Sequence, residues 1–398
     1  MSYWYSFILG RTQKLSIAEL QYVLPVHTSF SVIESSAHFF VIETPSPIDT
    51  KELMRMLGGT IKIGEGLQVL PHAQNLAYEL AQIIVKRLAK EQKIYFGLSV
   101  YSPLPAGINP FKLGLEIKTI LKETFEHSSR LVSSREPTLS SVVIATNKLL
   151  SDRGAELQLF VIKNKLYVAR TDTVQDFADF GKRDFERPAA DPKSGMLPPK
   201  VARIMLNLAQ VKEGETILDP FCGSGTILME AALLRPHNKL YGSDLSARAI
   251  KDTQINFNWL KHEYSLVSEH PSLSQNPIET LDAKLPHHSI DVIITEPFLG
   301  PPLRGTTNKT SLDRILNDLN PLYEKMLFVF STLLKPHGRV VMVWPVFAYQ
   351  KSWLDLPAFS MIKKYFDFEP LSPHSAGILY ARPDQKVGRL IVKFKPKT

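Results

Sequence analysis

The chain has 398 residues, 44% of them hydrophobic and 22% charged, the balance of a globular protein too long for one ordinary core, so two to three domains are expected. Its formal net charge of +8 suits a polyanionic partner and is unevenly spread: residues 51–170 hold 17 Lys and Arg against 10 Asp and Glu, the first 50 hold 2 against 4, and residues 171–195 hold 4 against 6. One cysteine, Cys222, excludes an internal disulfide and a multi-cysteine zinc site, and no basic segment followed by a long apolar run opens the chain, so no metal, no signal peptide, no membrane span and a cytoplasmic setting are expected.

In chain order, residues 1–50 read as a small α/β unit, with strands at Trp4–Leu9 and His38–Ile42 and a helix at Ser16–Leu24. Ser16 with Glu19 three residues on has the pattern of a capping box, which predicts the helix start there. Residues 51–170 read as a second α/β unit. Leu76, Leu80, Ile84 and Leu88 recur every four residues, one face of a helix, and Ile117, Ile120, Leu121 and Thr124 mark another. Tyr95–Val100 reads as a strand, and Glu156–Ile162 and Lys165–Arg170 as two strands about a turn at Asn164. Residues 171–195, with Arg187-Pro188-Ala189-Ala190-Asp191-Pro192, read as a linker, since its prolines forbid a long helix.

From 196 to 398 strands and helices alternate. Thr216–Asp219, Leu240–Asp244, Asp291–Thr295 and Arg339–Trp344 are short apolar strands, and Thr226–Leu234, Ala247–Leu260 and roughly 313–334 are helices. That alternation predicts a doubly wound, mostly parallel sheet, closed by a last strand at Arg389–Phe394.

The chemistry sits at the ends of those strands. Asp219-Pro220-Phe221-Cys222-Gly223-Ser224-Gly225-Thr226 follows one strand and opens a helix, where glycines let the backbone turn sharply and approach a ligand. The string lacks the lysine of a nucleotide phosphate loop and the third glycine of a dinucleotide fingerprint. Asp244 ends the next strand, where a carboxylate can accept from both hydroxyls of a ribose; the alternative is a helix N-cap. Asp282, followed by Ala283, can accept from an adenine amine or be an ordinary turn residue.

Together these three elements resemble a class I S-adenosylmethionine-dependent methyltransferase. Enzymes of that class acting on exocyclic amines of nucleobases carry, after the fourth strand, an acid or amide, two prolines and an aromatic residue. The corresponding string here is Thr295-Glu296-Pro297-Phe298-Leu299-Gly300. With Phe7-Ile8-Leu9-Gly10-Arg11, the middle α/β unit and Gly195-Met196-Leu197-Pro198-Pro199-Lys200, nearly the whole chain resembles the THUMP-containing tRNA guanine-10 N2-methyltransferases. The resemblance implies a ferredoxin-like domain over 1–50, a THUMP-like RNA-binding domain over 51–170 that grips tRNA, and a Rossmann-like catalytic domain over 196–398. It implies a cofactor site of Met196, Pro198, Asp219, Phe221, Gly223, Gly225, Thr226, Asp244, Asp282 and Ala283, and a catalytic set of Glu296, Pro297 and Phe298. Some members work with a small activating subunit; the sequence carries no signal for or against one, nor for an oligomeric state.

The fourth motif departs from the pattern. Glu296 is one methylene longer than the family's acid, Phe298 stands in place of the second proline and Leu299 in place of the aromatic, so a one-residue shift makes Phe298 the stacking ring. Arg304 in the following loop is a candidate phosphate ligand or, equally, a surface salt-bridge residue. The departure keeps two alternatives open: a tRNA-binding protein without turnover, and a DNA amino-methyltransferase.

Overall fold

The computed structural model describes residues 2–71, 75–88, 93–105, 108–190, 196–303, 308–371, 375–382 and 385–397. Its contacts divide the chain into two units: Met1–Ile17 with Leu24–Phe177, and Ala18–Val23 with Ala178–Thr398. None of the helices among the described residues is long and apolar enough to cross a membrane.

The first unit is built on β1 (Tyr3–Leu9), β2 (Ser31–Ser35), β3 (Phe39–Thr44), β4 (Thr60–Leu70), β5 (Ile94–Val100), β6 (Ser129–Val132), β7 (Gly154–Ile162) and β8 (Lys165–Val174), with helices α1 (Gln13–His27), α2 (Thr50–Met56), α3 (Leu76–Arg87), α4 (Pro110–Glu123) and α5 (Ser141–Thr146). All eight strands form one sheet in the order β2-β3-β1-β4-β8-β7-β5-β6. The first fifty residues therefore share a sheet with those that follow: β1 is antiparallel to both β3 (Phe7 opposite Phe40) and β4 (Phe7 opposite Ile63). The two helix faces read from the sequence pack on this sheet, with Leu80, Ile84, Ile117 and Leu121 buried against Phe96, Leu157 and Leu159. Left-handed Lys163 and Asn164 make the turn between β7 and β8.

The capping pattern at Ser16 misplaces the start of α1. The helix begins at Gln13, one turn earlier, and Ser16 lies inside it, its hydroxyl bonded to the carbonyls of Thr12 (3.0 Å) and Gly59 (2.9 Å). A serine four residues into a helix can satisfy itself on the preceding turn, and here a tertiary contact to β4's approach adds to that preference.

Polar side chains cross the buried face of the same sheet. Lys62 donates to Glu156 (2.8 Å), to the Tyr101 hydroxyl (2.9 Å) and to the Leu139 carbonyl (2.5 Å). Ser99 and Thr171 donate to the two oxygens of Glu156, Gln158 donates to Thr171 (2.7 Å), and Ser6 donates to Gln158 (2.6 Å).

The second unit carries β9 (Thr216–Asp219), β10 (Lys239–Asp244), β11 (Ser272–Gln275), β12 (Ile290–Thr295), β13 (Leu334–Tyr349), β14 (Ser352–Asp355), β15 (Phe366–Phe368), β16 (Gly377–Tyr380) and β17 (Val387–Pro396). Its helices are α6 (Phe177–Gly181), α7 (Pro199–Leu208), α8 (Thr226–Leu234), α9 (Ala247–Glu263), α10 (Lys309–Leu333) and α11 (Ile362–Tyr365). The sheet runs β11-β10-β9-β12-β13-β17-β15, with β14 on β13 and β16 on β17. The five strands from β11 to β13 are parallel, and β17 is antiparallel to β13. This is the Rossmann-like arrangement expected from the alternation.

From β9 the chain winds one way to β10 and β11, then returns to the other side for β12 and β13. The strand order thus reverses between β9 and β12, and a crevice opens at their carboxyl ends, the place where doubly wound sheets bind ligands. Beneath it, one face of α10 buries Leu319, Tyr323, Met326 and Phe330 against Ile293, Val340 and Trp344.

Candidate active site

The glycine loop leaves β9 at Asp219 and enters α8 at Thr226. Gly223 and Gly225 both have left-handed backbones, φ +53 and +86. Their surroundings differ. A Cβ on Gly225 would lie 2.9 Å from Thr253, whereas one on Gly223 would meet nothing within 4 Å. Gly225 is required by close packing on α9; Gly223 faces open space. Thr253 and Asn256 of α9 brace the loop by donating to the carbonyls of Gly223 (2.7 Å) and Ser224 (2.9 Å).

Asp244 at the end of β10 faces the same loop. Its carboxylate accepts from the N–H of Gly223 (3.0 Å) and of Ser246 (2.8 Å). The N-cap of α9 is Ser246, whose hydroxyl accepts from Ala249 (3.3 Å), so the capping role weighed for Asp244 is filled by another residue. Cys222 is buried, its N–H bonded to the Ser243 carbonyl (2.9 Å), and burial pushes its thiol well above the usual range.

Asp219 is buried and accepts from Thr295 Oγ1 (2.7 Å) and the Phe221 N–H (3.2 Å). Burial pushes its pKa up to about 7; Thr295 and Phe221 oppose that, while the charges of Asp244 and Glu296 add to it. The Thr295 bond also ties the strand end before the fourth motif to the strand end before the glycine loop.

In that motif, Glu296 Oε1 accepts from Arg389 Nε on β17, with 15% of the Glu296 side chain and 11% of the Arg389 side chain exposed. Burial raises the Glu296 carboxyl above its ordinary value, and the charge and hydrogen bond of Arg389 pull it back. Pro297 is buried, while Phe298 is 58% exposed, its ring bare to solvent. The Tyr323 hydroxyl on α10 donates to the Phe298 carbonyl (3.0 Å), and Gly300 turns the chain at φ +93 against Leu319. Arg304 lies outside the described residues.

Pro198 caps α7, and Pro199 occupies its first turn. Met196, two residues earlier, brings its sulfur to Ser224 Oγ (3.4 Å), so this flank meets the glycine loop. Asp282 and Ala283 end the 3-10 turn Ile278–Ala283 that follows β11; Asp282 is half-buried, and Ala283 is exposed.

Arg187, which the sequence places in a linker, sits against the glycine loop. It is buried; Nη1 donates to Thr226 Oγ1 (2.6 Å) and Nη2 to Met196 Sδ (2.6 Å), and its buried Nε has no partner among the described residues. The segment before it is anchored by Glu230 of α8, which accepts from Arg183 (2.5 Å) and from Arg203 of α7 (2.9 Å). An arginine between a π-turn and a proline carries no local pattern that would reveal this.

A family model described as UPF0020, RMKL-like, methyltransferase domain matches residues 186–366. The tRNA (guanine(10)-N2)-dimethyltransferase of Methanocaldococcus jannaschii is 30% identical over 52% of this chain, and the match spans only about half, 53%, of that relative. The enzyme of the same name from Methanothermobacter thermautotrophicus is 28% identical over 88% of this chain and 91% of its own length. Among solved structures, that of TrmN from Thermus thermophilus superposes with a TM-score of 0.59, covering 100% of both chains at 15% identity, a likeness of fold.

Proposed function

The chain belongs to the THUMP-class guanine-N2 methyltransferase family, and from that premise we propose that it methylates the exocyclic N2 of a guanine in tRNA, with S-adenosylmethionine as methyl donor. The observation that carries the reading is the Thr295–Asp219 hydrogen bond, which joins the loop fit for a cofactor to the loop fit for a base at one strand-order reversal.

The residues present suit that cofactor. The open space at Gly223 leaves the backbone bare for a close-lying ligand, and the unpartnered Arg187 Nε, beside Met196 and Thr226, is a buried donor fit for a carboxylate. Asp244 would accept from the ribose hydroxyls, Asp282 with Ala283 from the adenine edge, and Phe221, Gly225 and Pro198 would line the cavity. The bound cofactor supplies a methyl group made electrophilic by a sulfonium.

The exocyclic amine of guanine is a poor nucleophile because its lone pair is spread into the ring. Glu296 Oε2 accepts one of its N–H groups and a loop carbonyl the other, which draws the nitrogen toward a tetrahedral geometry and localises the lone pair. Phe298 stacks on the base. As the nitrogen bonded the methyl carbon, that carbon's bond to sulfur would break with its electron pair going to sulfur, and Glu296, its basicity raised by burial, is a near acceptor for the proton the nitrogen then sheds.

For the rest of the chain we read residues 1–50 as ferredoxin-like, 51–170 as the THUMP-like RNA-binding region, 171–195 as the linker and 196–398 as the catalytic domain, working in the cytoplasm. The positive excess of residues 51–170 supports a phosphate-binding role.

The test is transfer of labelled methyl from S-adenosylmethionine to unmodified tRNA, with nucleoside analysis of the product and duplex DNA as a parallel substrate. Label in N2-methylguanosine or N2,N2-dimethylguanosine is expected. Label in another nucleoside, or none with both tRNA and cofactor bound, overturns the reading.

A further inference from the structure

The fourth motif has lost two restraints. Glu296 is a longer acid than the aspartate of the pattern it resembles, with one more rotatable bond, and Phe298 occupies the place of the second, stiffening proline. The structure supplies a restraint from elsewhere in the sheet. Thr295 ends β12 opposite Met342 of β13, and Arg389 on β17 sits opposite Pro345, three residues further along β13. Arg389 thus stands two strands from β12, about 10 Å at ordinary strand spacing. Its side chain crosses β13 to meet Glu296 where both are nearly closed off from water.

Resting on the function proposed above, we propose that Arg389 is a positioning residue for methyl transfer: by clamping Glu296 Oε1 it fixes the carboxylate so that Oε2 is presented to the amine of the base. Oε1 takes the Arg389 N–H, and the Glu296 side chain keeps 15% of its surface exposed. The clamp has a second effect. Asp219 and Asp244 place further acidic charge in the same crevice, and burial alone drives Glu296 toward its protonated form, in which one oxygen becomes a donor. Arg389 opposes that, keeping an acceptor where the base brings an N–H. The groups facing Glu296 are Arg389 from β17, Asp219 from β9 and Tyr323 from α10, whose own ionisation is raised far out of range by burial and by Glu296.

The experiment uses the full chain, as parent, Arg389→Met and Arg389→Lys. Glu296 titration is followed by carbon-13 NMR of carboxyl-labelled glutamate, the signal assigned by its loss in Glu296→Gln; kcat and KM for tRNA methylation are measured from pH 6 to 9. In Arg389→Met the Glu296 midpoint should rise by about one pH unit or more. Its kcat should fall about tenfold below the raised midpoint and recover to within about threefold above it, because the carboxylate is regained as pH passes that midpoint. Its KM for S-adenosylmethionine should stay within about twofold, and Arg389→Lys should restore part of both effects. An unmoved midpoint overturns the clamp, as does a loss of kcat equal at every pH with a lowered melting temperature. If the parent methylates no tRNA, the functional reading fails, while the midpoint in parent and variant still decides the clamp.

Discussion

Each unit of this protein buries an ion pair, and the two pairs are finished differently. In the first, Lys62 and Glu156 are 2% and 0% exposed, and both oxygens of Glu156 are occupied, by Lys62 and Ser99 on one side and Thr171 on the other. In the second, Glu296 has Arg389 on one oxygen and keeps 15% of its side chain exposed. A buried carboxylate needs its acceptors filled. Where protein donors fill them all, the group crosslinks strands; where the carboxylate keeps an exposed share, a donor from outside can reach it. Burial lowers the affinity of Lys62 for its proton and Glu156 offsets part of that, as burial raises Glu296 and Arg389 restrains it. The electrostatics of the two pairs are alike; the exposure differs.

The comparison can be broken at either pair. Glu296→Ala has the largest expected effect: kcat for methylation falls by about a thousandfold, roughly 4 kcal/mol of barrier, while calorimetry finds S-adenosylmethionine bound as in the parent. A variant as fast as the parent would remove Glu296 from the chemistry. Lys62→Met should instead act on stability, leaving a buried carboxylate without its cation at a cost of about 3 kcal/mol in urea unfolding. The double variant Lys62→Met with Glu156→Gln should recover most of that, and its failure to do so would mean the pair is not what Lys62 serves.

Asp219 sharpens the contrast, since its charge is neither paired nor fully offset. Its folded pKa, about 7, exceeds the unfolded value of 3.8, so the folded state binds the proton more tightly. Stability attributable to this group is greatest below pH 4, declines as pH rises, and is flat above 7. Asp219→Asn keeps an oxygen for Thr295 and Phe221 but does not titrate. It should therefore be more stable than the parent by about 2 kcal/mol at pH 8, with the gap closing toward pH 4. A gap independent of pH would show that Asp219 is not the titrating group.

What the sequence disclosed follows from how local each signal is. Strands β9, β10, β12 and β13, the glycine loop and the acid at the end of β10 were legible because each is written in consecutive residues, whereas the short parallel strand β11 was not. β4 was not, because Gly64 and Gly66 break its apolar alternation; Gly66 is there because a Cβ would strike the Trp4 ring at about 2 Å (2.1 Å). The early start of α1 was hidden by a local capping pattern that a contact from Gly59 overrides. Arg187 and Arg389 escaped for the same reason on a larger scale. Arg389 meets its partner 93 residues away, and Arg187 meets Thr226 across 39, distances over which no spacing rule operates.

The continuous sheet of the first unit bears on the order in which the chain can assemble. β1 is flanked by β3 and β4, so it gains one neighbour early and the other only after residue 60 has emerged; β4 in turn waits for β8, more than a hundred residues later. Domains synthesised from the N-terminus fold as cooperative units, and a strand whose edge stays unpaired is a template for pairing with the wrong chain. During synthesis the outer edge of β4 is such a strand. Lys62 and Gln68 both lie on β4, polar residues of the kind that discourage wrong pairing at such an edge, and in the folded unit Lys62 reaches past β8 to Glu156 of β7.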